Sequence, residues 1–562
     1  MKLIWTKNGV TQVGTVSGKG IMFSRFRPVT LLWWGLCTAA IFGIAGGCSS
    51  KHYKTDADEE VYKIIDSKWR ARFGQKVNYI ISDVPPSAND VQVEEAMPSS
   101  GVISLTQAVA MATAQNRDYQ ARKESLYLSA LSLTGTRHQY ARQWFGTIDS
   151  EYVNVGGGDE DASIDALLET EQTHLLANGV MISTGLAIDW IRFLAGDPRT
   201  SLYSVLSASL NAPLLGAGAG KVAREELTQA ERNVLYDIRS FNRYRKTFVV
   251  DIVTAYYGVL KQRNTVTNAK NNYNRVLESK ERLEMEAEAG RKTRIDVDEA
   301  EQKVLSAESM IVAAQERYEQ SLDVFKIQLS LPTDANVELD QNELRALEEA
   351  GISEVDYTLG AAIETALLRR LDLANSGDWI DDALRGVMLA ADGLGPQLNL
   401  TGSAGVESSR ESTDFSRLQF RSGSYGLGFD ADLPLDRKIQ RNAYRQALIT
   451  LEQRQRQYED DMDRIKLAVR GAYRQLQETA DRYDIQKNSL ALAKERVEMN
   501  KVLLDAGRVE TRILLQSQDA LLNAQDNVTA ALVEHLNAKL SFYRDVGILQ
   551  VRPDGMWEKQ IQ

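Results

Sequence analysis

Cysteine and histidine are scarce in this chain of 562 residues, which contains two cysteines and four histidines. Cys37 lies in an apolar N-terminal run that we expect to be removed, so the mature chain would keep only Cys48. One cysteine cannot form an internal disulfide or a thiolate metal cluster. The histidines do not form a pair with metal-ligand spacing, and we predict neither a metal site nor a bound cofactor.

The sequence also lacks motifs for catalysis and for nucleic-acid binding. Gly216, Gly218 and Gly220 form a glycine-rich run, but the Gly-Lys-Ser/Thr ending of a phosphate loop is missing. We interpret these glycines as the bend from a strand to a helix. The net charge is −11 without a basic tract, so nothing favours nucleic acid as a partner. We therefore predict that the protein is not an enzyme.

Proline is absent from two long stretches of the chain. There is none between Pro213 and Pro332, and none between Pro434 and Pro553. Because proline interrupts helices, each stretch can form long helical arms. Apolar and small residues recur there at alternating spacings of three and four, which is typical of close-packed coiled helices. An arm of seventy residues would be on the order of 100 Å long.

One glycine-centred turn divides each proline-free stretch. Gly290 in AGRKTRI and Gly507 in AGRVETRI each end a helical pattern, and the following threonine can cap the next helix. The turns lie 217 residues apart (507 − 290), and helix-opening segments at 103–109 and 357–363 also correspond. We predict an internal duplication, with repeats over 101–350 and 351–550 and a tail over 551–562.

The N-terminus carries an export signal. Two arginines precede an apolar run over residues 29–47, and small residues end this run. We expect residues 1–47 to be a signal peptide, although 19 apolar residues could instead form an uncleaved anchor. The segment AGGC ending at Cys48 resembles the lipobox of bacterial lipoproteins, which implies that Cys48 carries lipid. We predict that 48–100 is an extended, lipidated linker, apart from one short amphipathic turn that Tyr62, Ile65 and Trp69 could form.

Sequence typical of strands follows the opening helix of each repeat. We predict one β-hairpin over 147–215, with an acidic insert around 156–178, and one over 397–435. Alternation with glycines and aromatic residues is the weak signature of membrane β-barrel strands, although soluble hairpins would fit the strands alone. Two hairpins cannot close a barrel, and an open sheet edge is not tolerated in lipid. Membrane insertion would therefore require several copies.

These features together resemble the TolC-like outer-membrane efflux protein family. The segments that carry the resemblance, besides the two turns, are LTQAVAMA (105–112), RLDL (370–373), PQL (396–398) and LPLDR (433–437). The resemblance implies a mainly α-helical homotrimer, in which a shared twelve-stranded β-barrel continues into a periplasmic α-helical barrel. Each chain would supply four strands. The implied function is an outer-membrane exit duct, lipid-anchored here, for efflux or type I secretion.

The resemblance further implies partners and a gate. A periplasmic adaptor, served by an inner-membrane pump, would contact the tip turns at Gly290 and Gly507. In the family, acidic side chains form a ring at the tip. The matching position in the first turn is Asp296, with Glu299 one turn further, whereas the second turn has no acid at its corresponding positions. The family's arginine latch is approximated by Arg508 or Arg512.

Two other functions remain open from the sequence. A periplasmic coiled-coil adaptor or scaffold lipoprotein would also contain long helical hairpins, and an enzyme could occupy the strand-rich parts. Asp296 likewise has a second interpretation, because a carboxylate in the first turn of a helix is favoured by the helix dipole.

Overall fold

The computed structural model describes most of the chain after the predicted signal. The described residues are 49–70, 73, 76, 79–81, 101–155, 161–194, 200–216, 222–352, 355, 357–409, 416–433, 435–552 and 557–559. The predictions for the signal peptide and for Cys48 lie outside them. The chain divides into two compact units, residues 1–60 and 61–562. None of the helices in the described part is both long enough and apolar enough to span a bilayer.

Helices dominate the described residues, and strands form one large and two small sheets. In chain order the elements are α1 (Ser50–Lys68), β1 (Val102–Ile103), α2 (Leu105–Gln115), α3 (Arg117–Gln139), β2 (Arg142–Val155), β3 (Asp161–Leu175), β4 (Met181–Phe193), β5 (Thr200–Leu215), α4 (Glu225–Glu288), α5 (Arg294–Gln328), β6 (Glu338–Leu339), α6 (Asn342–Ala350), α7 (Leu359–Arg369), α8 (Leu371–Asp392), β7 (Gln397–Glu407), β8 (Ser424–Asp432), α9 (Lys438–Asp505), α10 (Thr511–Val546), β9 (Leu549–Val551) and β10 (Trp557–Lys559).

The predicted extended linker is wrong in its first part, which forms helix α1. Val61, Ile64 and Ile65 are buried in the main apolar core, together with Phe73. Their spacing of three and four residues places them on one side of the helix, and burial of that side stabilises it. The remaining linker residues from 82 to 100 are outside the described ranges.

The predicted duplication is visible in two matching pairs of helices. The Ser104 hydroxyl accepts a hydrogen bond from the backbone N–H of Gln107 at the start of α2, and the Thr358 hydroxyl caps α7 in the same way. Each pair then breaks at one extended residue, Asn116 (ψ 130°) or Arg370 (ψ 122°), before the second helix begins. The same local chemistry thus produces the same break in both repeats.

The two helical hairpins have the same construction. Helices α4 and α9 contain 64 and 68 residues, and α5 and α10 contain 35 and 36. At ~1.5 Å per residue, α4 and α9 are each on the order of 100 Å long. Gly290 and Gly507 adopt φ values of 71° and 67°, which residues with a Cβ atom resist. The predicted turns are therefore confirmed. The predicted threonine cap is confirmed for Thr293 but wrong for Thr511, because Thr511 is the first residue of α10 and its N-cap, Glu510, makes no capping hydrogen bond with its side chain.

The long helices pack in a defined order. Helix α4 contacts α5 within the first hairpin, α9 contacts α10 within the second, and α4 contacts α10 between them. Helices α5 and α9 therefore lie at the two edges of this layer. Near the sheet end, α3 and α8 add to the layer by packing against α4 and α9 respectively.

The prediction of a single β-hairpin in the first repeat is wrong, because that repeat contributes four strands. The main sheet has six antiparallel strands in the order β2-β3-β4-β5-β7-β8. The acidic stretch that we expected to be an insert contains β3, where Ile164, Ala166 and Leu168 share one face and Asp165, Leu167 and Glu169 lie on the other. The first face is apolar, so the acidic residues of β3 do not prevent strand formation. The four strands per chain implied by the resemblance thus become six.

The predicted C-terminal tail also contains structure. Leu549, Gln550 and Val551 form β9, which pairs with the antiparallel strand β10. The side chains of Leu549 and Val551 are buried in the main apolar core. The segment 549–551 is therefore attached to the body.

Candidate functional site

The first candidate region is the tip turn between α4 and α5. Thr293 caps α5, and its hydroxyl oxygen lies 2.7 Å from an Asp296 carboxylate oxygen. The backbone N–H of Thr293 donates to the same carboxylate oxygen at 3.1 Å. These hydrogen bonds, led by that of the Thr293 hydroxyl, hold the pKa of Asp296 below its ordinary value. Asp296 is thus a half-buried, ionised carboxylate that also stabilises the start of its helix.

The other sequence-predicted gate residues lie close to the same two turns. Glu299 is half-buried one turn along α5, whereas Arg508 and Arg512 are exposed on the second turn. The Arg512 guanidinium lies 3.0 Å from the Glu510 carboxylate, within its own turn. Because both groups are mostly solvated, this pair contributes little to stability.

Ionic contacts that join the two hairpins were missed by the sequence analysis. Arg282 on α4 forms an ion pair with Asp505 at the end of α9. Lys303 on α5 lies 2.6 Å from the carboxylate of Asp519 on α10. The partners are more than 200 residues apart and belong to different hairpins, so no local spacing indicates them. These pairs, rather than Arg508 or Arg512, connect the hairpins near the tip.

Above these ion pairs, α4 and α10 meet along a polar seam. Its hydrogen bonds are Ser279–Gln518 (3.0 Å), Asn268–Asp526 (2.8 Å), Asn264–Thr529 (2.9 Å) and Thr254–Asn537 (3.1 Å). Burial raises the pKa of Asp526, and the hydrogen bond from the Asn268 amide partly offsets this by lowering the pKa. The contact between the hairpins is thus polar along much of its length.

The second candidate region is the six-stranded sheet, whose two faces differ in chemistry. Residues directly opposite each other in an antiparallel ladder lie on the same face. The register of the five ladders therefore assigns each side chain to a face. One face carries mainly apolar and aromatic residues, including Trp144, Ile148, Tyr152, Ile164, Leu168, Leu186, Ile188, Trp190, Leu202, Leu206, Leu210, Leu400, Tyr425, Leu427 and Phe429.

The opposite face of the sheet is mainly polar, although Phe145, Leu167, Ile191 and Phe193 also lie on it, and its charged residues in the described strands are acidic. Serine, threonine, asparagine and glycine fill much of it. Its acidic residues are Asp149, Glu151, Asp165, Glu169, Glu171, Asp189, Glu407, Asp430 and Asp432. Among the described residues of the six strands, neither lysine nor arginine occupies this face. An apolar face opposite a polar one is what a sheet needs when it separates hydrocarbon from water.

Comparison with known protein families gives one match. Residues 362–547 match the family model described as outer membrane efflux protein. The matched part runs from within α7 through α8, β7, β8, α9 and the whole of α10, which is most of the second repeat. No curated protein matches the chain.

Solved structures share the fold over most of the chain. The CmeC outer-membrane channel of Campylobacter jejuni is 15% identical, with a TM-score of 0.57, covering 85% of this chain and 91% of its own. VceC of Vibrio cholerae is 14% identical, with a TM-score of 0.55, over 79% and 96%. MtrE of Neisseria gonorrhoeae, solved in an open state, is 14% identical, with a TM-score of 0.56, over 79% and 88%. The overall fold is therefore that of outer-membrane channels.

Proposed function

We propose that the chain is a member of the outer membrane efflux protein family, whose model matches residues 362–547, and that it is the outer-membrane exit duct of a tripartite efflux or type I secretion system. It would conduct substrates passively from an inner-membrane pump, or from the periplasm, to the exterior. The observation that carries this proposal is one compact unit in which a two-faced sheet is joined to two helical hairpins of about 100 Å. The duct performs no chemistry of its own, in keeping with a family of channels.

The alternative function, a periplasmic adaptor or scaffold, does not account for the sheet. Trp144, Leu427 and Phe429 on its apolar face are each more than two-thirds exposed in the single chain. Apolar surface of this extent is not stable in water and requires lipid or a partner. The outer membrane supplies that environment for a duct, and the polar face then lies toward water.

The edges of the helical layer support a homotrimer. On α5, Leu305 and Val312 are seven residues apart, and each exposes more than half of its surface. On α9, Ile485, Leu492 and Met499 repeat the same spacing and the same exposure. A spacing of seven residues places these side chains in one stripe along each helix. In the proposed trimer, α5 of one copy packs against α9 of the next.

Replacement of Leu492 by lysine should prevent assembly, because it places a charge in this stripe at the centre of the contact. Lys494→Glu is the matched control, since Lys494 is exposed on the opposite side of the same helix. Unheated outer-membrane extracts should show trimers on denaturing gels for the wild type and the control, but not for Leu492→Lys. In planar bilayers the two trimeric proteins should conduct ions. Folded trimers that do not conduct would contradict the exit-duct function.

The tip turns would form the periplasmic entrance of the duct. Around a threefold axis, the three copies of Asp296 make one acidic ring, and carboxylate rings favour cations in pores. Like charges brought together raise one another's pKa, whereas the Thr293 hydrogen bonds lower that of Asp296. The cap therefore helps to keep the ring ionised at neutral pH.

Asp296→Asn should lower the cation preference of the pore without abolishing conductance. Asparagine keeps a side-chain oxygen for the capping hydrogen bonds, so the turn should remain folded. The control is Asp298→Asn, because Asp298 is exposed and pairs with Arg294 within α5. Reversal potentials across a salt gradient measure the effect. If Asp296→Asn has the same reversal potential as the wild type, Asp296 is a helix-start carboxylate and not part of the constriction.

The two glycine turns would also receive the periplasmic adaptor. Gly507→Val should strain the turn by about 1–2 kcal/mol, because its φ of 67° disfavours any side chain. We expect intact trimers but reduced co-purification of the adaptor after cross-linking in cells. Gly471→Val within α9 is the control, since that position is open to a side chain and is helical. Loss of trimers from Gly507→Val alone would make the turn a structural element instead.

Lipid on Cys48 would add a second attachment to the outer membrane. A single acyl anchor binds membranes weakly, so the sheet would supply most of the retention. A labelled fatty acid should mark the wild-type protein and not Cys48→Ser. Equal labelling of both proteins would exclude this cysteine as the lipidation site.

A further inference from the structure

The main sheet ends in two unpaired edge strands, β2 and β8. Strand β2 contains 14 residues and β8 contains nine, so neither edge is short. All five ladders are antiparallel, and a row of six such strands gives its two outer strands opposite directions. The β8 edge of one copy can therefore join the β2 edge of another as one more antiparallel pair.

The additional hairpin β2–β3 is part of this sheet over its whole length. The ladder between β3 and β4 runs from Ser163 opposite Phe193 to Leu175 opposite Met181, which is the full length of β4. Strands β2 and β3 are likewise paired from end to end. A hairpin that projected away from the sheet would lack the ladder between β3 and β4.

The same hairpin also continues the two faces of the sheet. Its apolar side carries Trp144, Ile148 and Tyr152 on β2, opposite Gln172, Leu168 and Ile164 on β3. Its other side carries five of the nine acidic residues of the polar face, namely Asp149, Glu151, Asp165, Glu169 and Glu171. Strands that lay outside the membrane wall would not need one apolar and one polar face.

We propose that β8 of each copy pairs with β2 of the next, so that three copies close a barrel of eighteen strands (three times six). This inference rests on the proposed trimer. It replaces the twelve-stranded barrel that the resemblance implies by a barrel of eighteen strands. Barrel diameter grows roughly linearly with strand number, so the lumen would be about half again as wide as with twelve. The described strands place carboxylates on its wall but neither lysine nor arginine, and such a wall favours cations over anions.

Pairs of introduced cysteines distinguish the two barrels. One cysteine replaces Asp430 on β8. The second is placed on the polar face of β2, in turn at Gln143, Thr147, Asp149 and Glu151, or on that of β4, in turn at Ser183, Ala187 and Asp189. In the eighteen-stranded barrel, β2 of the neighbour adjoins β8, whereas β4 is three strand spacings away, roughly 14 Å.

Treatment of trimers with a short bismaleimide should link β8 to β2 between chains, giving dimers and trimers on denaturing gels. Pairs between β8 and β4 should remain monomeric. Ser209→Cys with Ser403→Cys is the control for reagent access, because these residues are opposite each other within one chain.

Links between β8 and β4 would overturn the proposal in favour of twelve strands, with the trimer intact. If the control reacts and neither set links, the closure through β8 is also wrong. Absence of trimers before treatment would instead contradict the proposed assembly.

Discussion

In the proposed duct, the structure depends on one constraint, which is that backbone groups in hydrocarbon must find hydrogen-bond partners within the protein. Each unpaired N–H or C=O costs several kcal/mol in lipid, so a sheet with open edges cannot remain there. This chain has such a sheet, and its edges β2 and β8 are unpaired in the single copy. The apolar face also needs an environment that the single chain does not supply, because Trp144 and Phe429 are mostly exposed within it. Assembly is therefore a condition for the membrane part to be stable.

In the proposed trimer, the contacts of the helical part differ within and between chains. Within the chain, much of the contact between α4 and α10 is made by side-chain amides, hydroxyls and the carboxylate of Asp526, besides the apolar cluster near the tip. At the edges, α5 and α9 present apolar stripes with a seven-residue repeat. Apolar stripes have no partner until copies associate, so they favour assembly strongly. Polar groups on α4 and α10 find partners as soon as the chain folds, and their hydrogen-bond geometry fixes the alignment of the two hairpins.

The sequence was sufficient for the helical architecture but not for the strand count. Gly290 and Gly507 stand between long periodic segments without proline, and this local pattern determined both turns. Strand β3 was missed because its acidic residues suggested a loop, although Ile164, Ala166 and Leu168 recur at every second position and share one face. In a sheet with a water-facing side, acidity at every second residue is compatible with a strand. The Arg282–Asp505 pair could not be predicted, since it depends on how two distant hairpins align.

The distribution of stabilising contacts indicates where the two helical hairpins separate most easily. Around the middle of α4, Tyr256, Phe325 and Phe542 are buried in the main apolar core, together with the strands β1 and β6. Toward the tip, the apolar clusters of the described residues are small, and the one around Val276, Leu283 and Leu515 is accompanied by the ion pairs between the hairpins. Partly exposed ion pairs contribute on the order of 0–1 kcal/mol each. Separation of the tips therefore costs less free energy than separation at the main core. In the proposed duct, this gradient of stability favours opening at the tip.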